Sequence, residues 1–340
     1  MNNPSTFGES TVHASLAACA AALCSAQNIV LMSHVNGDGD SIGSTLGVYH
    51  LLTQLGKTVR MLHPTPVPDN FRFLQGSEHI QTFDAAHPAH AQALAQADVL
   101  VVLDANAPSR MRGMEQAIIS SPAQKLVIDH HQHPQPFADV YAVDVEACST
   151  CEMIVRLVRI VGDEHFSKPL AEAVYTGIMT DTGNFRFPRT DAEVHCMIAQ
   201  LLEAGADPTF IAEQVLNQNP FQRSLLLGRA LCGLQRFLDG ALCMMTVSQA
   251  MMQETNTTED HIEGFVEQTL SIQGVQIGVL VVELPHQVKI SLRSKGSVAV
   301  NGIAAHFGGG GHLNAAGCRT DQYSFAELPM VIVELAKHVL

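Results

Sequence analysis

Three short apolar runs frame the first half of the chain. They are residues 29–32, the VLVVL of DVLVVLDAN (98–106) and the LVI of KLVIDHH (125–131). Unbroken, rich in Val, Leu and Ile and bounded by polar residues, they read as strands buried on both faces of a parallel sheet. Stretches with apolar positions three and four apart separate them, the first predicting a helix over 41–55. A further short strand is expected at 58–62, and the proline-rich piece 63–68 is expected to be a loop. Strands alternating with helices in this way predict a doubly wound, mostly parallel α/β sheet.

Each apolar run ends in an acid or a histidine. The first leads through a glycine-punctuated loop past His34, Asp38 and Asp40; the second ends in Asp104; the third ends in Asp129, His130 and His131. Asp, Asn and Gly also form ordinary turns, and Asp40 or Ser41 would serve as a helix cap. For one strand that account would suffice. Three strands that deliver the same chemistry to one sheet edge instead predict a crevice lined by metal-binding or catalytic groups at their carboxyl ends. Residues 169–187 add a fourth contributor: Leu170, Val174 and Ile178 share one helical face, and Asp181 continues it, where a lone buried acid would be costly.

Residues 190–237 are helical in pattern, with turns at Gly205, Asp207, Pro208 and Pro220. A second set of strands then follows at 241–247, 275–284 and 287–294, with a helix over 298–307 and a terminal helix after 324. The organisation expected is a catalytic domain over 1–188, a helical linker over 189–238 and a smaller α/β domain over 239–340, with the active cleft between the two domains. GGGGHLNAAG (308–317) lies between the last two helices. Such a run suits a backbone that must come close to something, and its N–H groups would form an anion nest. It is neither a Walker loop nor a dinucleotide fingerprint. Upstream, SLRSK supplies Arg293, the residue type suited to bidentate phosphate contact. A flexible hinge beside a surface arginine is the plainer alternative.

Charge narrows the range of partners. The 340 residues carry a formal net charge of −14, acidic in both halves, with 9 Lys and Arg against 18 Asp and Glu over 1–185. Such a chain is poorly suited to gripping long nucleic acid through its phosphates, but it can hold a small anion where metals and a few placed cations reverse the local sign. Eight cysteines spread over this length do not form a disulfide framework and point to a reducing cytoplasm. Cys148 and Cys151 lead into EMIVRLVRI and read as the start of a packed helix. No apolar run reaches the length of a membrane span. The alanine-rich stretch 12–22 lacks the positive flank of a signal peptide, since Lys57 is the first basic residue.

With His34, Asp38, Asp40, Asp104, Asp129-His130-His131, Asp181 and the late glycine motif in this order, the sequence resembles the DHH phosphoesterase family. More narrowly, it resembles the RecJ-like branch with a DHH-associated C-terminal domain that includes the bacterial nano-RNases. The resemblance spans residues 28–317; Gly37 stands where the family often has proline. It implies one Mn²⁺ held by His34, Asp38 and Asp104 and a second held by Asp40, Asp104, His130 and Asp181, with Asp104 bridging; Mg²⁺ or Co²⁺ would be substitutes. Asp129 would orient a histidine, His131 would act on the phosphoryl or leaving oxygen, and His133 would face solvent. Arg293, Gly309, Gly310, Gly311 and His312 would grip a second phosphate. The substrates implied are nucleoside 3′,5′-bisphosphate (pAp) and RNA or DNA pieces of about two to five nucleotides, short enough to need no track of phosphate contacts. Cyclic dinucleotide cleavage is the alternative, with pyrophosphate hydrolysis or non-catalytic nucleotide sensing behind it. No membrane is involved, and homodimer formation is left open.

Overall fold

Successive side chains of a strand point to opposite faces, and in the first half of the chain this sorts the apolar residues into two cores. The computed structural model describes residues 9–340, which fall into two units divided between Gln218 and Asn219. In chain order the first unit contains α1 (Glu9–Ser25), β1 (Asn28–Met32), α2 (Gly39–Gln54), β2 (Thr58–His63), β3 (Ile80–Thr82), α3 (Pro88–Gln96), β4 (Val99–Leu103), α4 (Glu115–Ser120), β5 (Gln124–Asp129) and β6 (Val140–Val143). Four helices follow: α5 (Thr150–Val161), α6 (Lys168–Asp181), α7 (Ala192–Glu203) and α8 (Pro208–Leu216).

The six strands form one parallel sheet in the order β3-β2-β1-β4-β5-β6. Ile29, Leu31, Val101, Leu103 and Ile128 face one core with α1, α2, α5 and α6. Val30, Met32, Leu100, Val102 and Val127 face the other, with residues of α3 and α4. The sheet is therefore doubly wound. β1 lies between β2 and β4 while the chain runs outward on one side and returns on the other, so the loops after β1 and β4 part and leave a crevice at their carboxyl ends.

On the first face α2 lies close against α6. A Cβ on Gly43 would stand 2.5 Å from the Ala173 carbonyl oxygen, and one on Gly47 would stand 2.7 Å from Val174 Cγ2. Only glycine permits this approach. It carries Asp40, in the first turn of α2, toward Asp181 at the end of α6.

Helix α2 begins at Gly39, two residues before the expected start, and its cap is neither Asp40 nor Ser41: Asp38 Oδ1 accepts the Ser41 N–H at 3.0 Å. Helix α6 ends at Asp181, after which Gly183, Asn184 and Phe185 all take positive φ. The helical stretch 189–238 is shared between the units. Val194, Met197, Leu201 and Ile211 of α7 and α8 join the first unit's core, whereas Leu226 and Ala230 of the next helix join a core of the second unit.

That second unit contains α9 (Phe221–Cys232), β7 (Gln235–Phe237), β8 (Leu242–Val247), α10 (Gln249–Thr255), α11 (Phe265–Leu270), β9 (Ile277–Glu283), β10 (Val288–Ser294), α12 (Asn301–His306), β11 (Gly310–Gly311), β12 (Ala315–Thr320) and α13 (Leu328–Ala336). Its sheet is mixed, in the order β11-β12-β10-β9-β8-β7, with β8 and β9 parallel and the other pairs antiparallel.

Candidate functional site

Five elements converge at the carboxyl edge of the first sheet. The β1 end supplies His34, the α2 start supplies Asp38 and Asp40, the β4 end supplies Asp104, the β5 end supplies Asp129, His130 and His131, and the end of α6 supplies Asp181. Three groups of donor atoms arise, each within 4.8 Å: His34 with Asp38 and Asp104; Asp40 with His130 and Asp181; and Asp104 with His130 and His131. Asp104 belongs to two of them. It is 1% exposed and sits at φ +56°, a left-handed conformation that Asp tolerates better than most side chains.

Hydrogen bonds fix which histidine nitrogens face the carboxylates. A carbonyl oxygen only accepts, so His34 Nδ1 donates to Val35 O at 2.9 Å, and Nε2 points to Asp104 Oδ2 at 3.1 Å. His130 repeats the arrangement: Nδ1 meets Ala147 O at 3.3 Å, and Nε2 lies 3.5 Å from Asp181 Oδ2, 3.7 Å from Asp104 Oδ1 and 3.8 Å from Asp40 Oδ2. A main-chain acceptor on one ring nitrogen, leaving the other turned toward acids, is the usual setting of a metal-binding imidazole.

His131 differs. Its Nδ1 donates to Asp129 Oδ1 at 2.8 Å, so the nitrogen that lies 3.5 Å from Asp104 is already committed. Asp129 is fully buried, and its Oδ2 makes no hydrogen bond. His133, by contrast, is exposed.

The electrostatics reflect acids crowded together. Burial first, and the Asp40 carboxylate second, push Asp181 up to about 7, and the same two causes hold Asp104 well above the usual carboxylate range. Burial would lower His34, but hydrogen bonds and charge from Asp104 and Asp38 outweigh it and raise the ring to about 10. Burial opposes ionisation of Asp38 too, yet His34 and the Ser41 amide bring it down to about 2. Four carboxylates this close need positive charge between them, and a set of carboxylate oxygens with two imidazoles and no thiolate suits hard or borderline divalent cations.

Two residues that the sequence pattern did not single out belong to the same site. Thr150, at the first turn of α5, donates its N–H to Asp40 Oδ2 at 2.7 Å and its hydroxyl to Asp104 Oδ1 at 3.0 Å, while Cys151 N–H reaches Asp40 Oδ1 at 2.8 Å. Asn106 Nδ2 donates to His131 O at 2.8 Å and so ties down the loop that carries both histidines. Asn106 lies inside the DAN tripeptide, the one local signal; nothing local marks Thr150.

In the second unit half of the glycine motif is strand. Gly310 and Gly311 form β11 and pair with Gly317 and Ala316 of β12. A Cβ on Gly309 would stand 2.3 Å from Gly317 O, and Gly311 has φ +145° with Ala315 O only 2.4 Å from where its Cβ would be. The Gly309 N–H is taken by Ala304 O at 3.0 Å, so it is not available to an anion as expected: these glycines bring two backbones together. Arg293 on β10 is half-buried, opposite Ala315 of β12, and its Nε donates to Glu267 Oε1 at 3.1 Å. His312 N–H donates to Ala315 O at 2.8 Å and closes the β11–β12 turn.

Comparison with known proteins agrees with this geometry. The profile of the DHH family, N-terminal domain, matches residues 28–178, and that of the DHHA1 domain matches residues 242–338. Over 291 residues the chain is 33% identical to a Thermus thermophilus protein named bifunctional oligoribonuclease and PAP phosphatase NrnA, covering 85% of this chain and 83% of that one. The chain belongs to the DHH family. A Listeria monocytogenes protein named cyclic-di-AMP phosphodiesterase PdeA is 29% identical over 88% of this chain but only 46% of its own length. Among solved structures, an exopolyphosphatase-related protein from Bacteroides fragilis superposes with a TM-score of 0.91 at 33% identity, covering 96% of this chain and 97% of that one. Exonuclease RecJ bound to manganese shares the fold, with a TM-score of 0.53 at 13% identity, covering 95% of this chain and 94% of that one. The doubly wound α/β architecture and the DHH assignment read from the sequence both hold.

Proposed function

We propose that this chain is a two-metal phosphoesterase that hydrolyses short oligoribonucleotides and nucleoside 3′,5′-bisphosphates (pAp) to mononucleotides. The observation that carries the proposal is the sharing of Asp104: its Oδ2 faces His34 and its Oδ1 faces His130. His34, Asp38 and Asp104 would hold one divalent cation, and Asp40, Asp104, His130 and Asp181 a second. Mn²⁺ suits this donor set, with Mg²⁺ or Co²⁺ as substitutes. Two such cations would activate water at neutral pH and neutralise charge on the phosphoryl oxygens. Asp129 holds the His131 ring in one orientation through Nδ1, and the opposite ring nitrogen then delivers a proton to the leaving oxygen. Arg293, Gly310, Gly311 and His312 would contact a further phosphate of the substrate. Relatives bearing the names oligoribonuclease and PAP phosphatase support the substrate class. All eight cysteines are unbridged and, among the described residues, no helix is long and apolar enough to cross a membrane, which supports a cytoplasmic location.

Cyclic dinucleotide cleavage is the second reading, favoured by the likeness to PdeA. Turnover of pAp, a ribodinucleotide, cyclic di-adenylate and pyrophosphate, measured side by side with Mn²⁺, separates the two. The expected result is that pAp and the dinucleotide are fastest. Preference for cyclic di-adenylate would favour the second reading, and failure to cleave any of the four would overturn both.

A further inference from the structure

Thr150 is an unexpected residue where it stands. It is fully buried, it opens α5 beside Cys148 and Cys151, themselves buried, and valine would fill the same space without a hydroxyl to satisfy. Capping does not explain the hydroxyl either, because Ser149 is the cap and its Oγ accepts the Glu152 N–H at 3.1 Å. What the Thr150 Oγ1 does is donate to Asp104 Oδ1 at 3.0 Å.

That one bond constrains the carboxylate on which both donor groups depend. A carboxylate turns readily about its terminal torsion, and the two ways Asp104 could serve a cation pair differ in that angle. In one, a single oxygen lies between the cations; in the other, each oxygen serves one of them. With His34 Nε2 at 3.1 Å from Oδ2 and His130 Nε2 at 3.7 Å from Oδ1, the observed angle is the second. Each carboxylate oxygen has two acceptor sites. Thr150 occupies one on Oδ1 and leaves the other for the His130 side. The same residue's N–H, with that of Cys151, takes both oxygens of Asp40 at 2.7 and 2.8 Å, so the start of α5 sets Asp40 and Asp104 relative to each other.

We propose that Thr150 is a positioning residue whose hydroxyl locks the rotation of Asp104, so that the two cations are bridged through separate oxygens and kept at a fixed spacing. This rests on the two-cation reading of the site. Partners that orient metal-binding side chains are worth ~10–100-fold in metal affinity or activity when removed, and here the loss should fall on the cation of the His130 group, whose oxygen Thr150 holds.

The test compares wild type with Thr150→Val and Thr150→Ser. Mn²⁺ stoichiometry and affinity are read by calorimetry, exchange coupling of the ion pair by electron paramagnetic resonance, and kcat and KM separately on pAp. Thr150→Val is expected to keep one Mn²⁺ at wild-type affinity, to bind the second ~10–100-fold more weakly, to lose the coupled signal, and to show lower kcat at limiting Mn²⁺ with little change in KM. Thr150→Ser, which restores the hydroxyl, is expected to recover coupling and kcat. Thr150→Ala carries the same expectation as the valine variant and replaces it if thermal unfolding in chelator shows that the valine protein is not folded. Two tightly bound, coupled ions in the variants lacking the hydroxyl would overturn the proposal, as would a serine variant no better than valine. A wild type with no coupled pair would overturn the two-cation reading itself.

Discussion

Asp104 faces His34 through one oxygen and His130 through the other and belongs to two of the three donor groups, so replacing it removes a donor from two groups at once, whereas Asp38 and Asp40 each belong to one. Asp104→Ala is therefore expected to abolish turnover and to lower bound Mn²⁺ for both sites; near-normal activity without excess Mn²⁺ would contradict a shared carboxylate. His131 stands apart because Asp129 holds its Nδ1. His131→Ala should keep both ions and lose ~10²–10⁴-fold in kcat, the usual worth of a positioned acid; loss of one equivalent of metal would instead make it a ligand. A third residue tests stability. His63 is buried and neutral: burial lowers it to about 3, and its Nε2 lies 3.1 Å from Thr45 Oγ1, whose own proton goes to Ser41 O. The unfolded ring titrates near its ordinary value, about 6.5, so below that pH the unfolded state binds the extra proton and stability falls as pH drops toward 3. His63→Gln keeps a donor for Thr45 and removes the titration. Between pH 7 and pH 5 the wild-type apo-protein should lose about 2 kcal/mol more than this variant, read from urea unfolding in chelator; equal losses would show that His63 is accessible to protons in the fold. At this scale the strand-end acids and histidines were legible, because each follows an apolar run. Thr150 and Asn106 were not, because a hydroxyl or an amide acquires its meaning only from the carboxylate or loop that tertiary structure brings to it.

Helix α2 shows how an element builds the site. Its register against α6 depends on Gly43, where an added Cβ would press on a backbone oxygen of α6 and not on a mobile side chain. Gly43→Ala must force the helices apart, which costs about 1–3 kcal/mol as overpacking, against a gain in helix propensity of up to about 1 kcal/mol. The net expectation is destabilisation together with weaker Mn²⁺ binding, since Asp40 and Asp181 ride on the two helices. Gly228, in the middle of α9 with open space around it, gives the opposite result: Gly228→Ala should raise stability by up to about 1 kcal/mol and leave metal binding alone. Thermal unfolding of the two variants checks the pair; a stabilised Gly43→Ala would mean that α2 and α6 do not meet as closely as described. The small-residue character of α2 was visible in the sequence, but its partner was not, since nothing in a glycine's local context says which backbone it will approach. The same limit explains the strands that periodicity left out. β1, β4 and β5 are unbroken apolar runs, whereas β3 is three residues long, β11 is two glycines and β12 reads AAGCRT. These are strands because a neighbour pairs with them, not because of their own apolar pattern.

For the whole molecule, net charge sets an expectation for the length of substrate. At −14 the chain repels a polyanion except where cations are placed, and many of its basic side chains are already spent on its own acids: Arg156 on Asp144 and Glu152, Arg229 on Glu254, Lys289 and Arg319 on Glu259, Arg293 on Glu267. On the proposed function, a substrate would gain from the reacting phosphate at the metals and from one further phosphate at Arg293, and on a chain this acidic each additional phosphate would add little. kcat/KM is therefore expected to peak for substrates of about two to five nucleotides and to fall for longer strands, with a shallow dependence on salt, because a slope of roughly −0.7 accrues per phosphate neutralised on a single strand and only about two are engaged. Because Arg293 already has a carboxylate partner in Glu267, the proposed contact with substrate would require an exchange of one anion for another. Arg293→Ala should accordingly raise KM for the short substrates by a modest factor, on the order of tenfold for one charged hydrogen bond, and leave Mn²⁺ content unchanged. A length series from dinucleotide to a strand of about twenty residues, run at two salt concentrations with wild type and Arg293→Ala, makes the measurement. Rates that climb with length and collapse when salt is added would show a continuous basic track, and with it a nuclease of long strands in place of one that finishes off short ones.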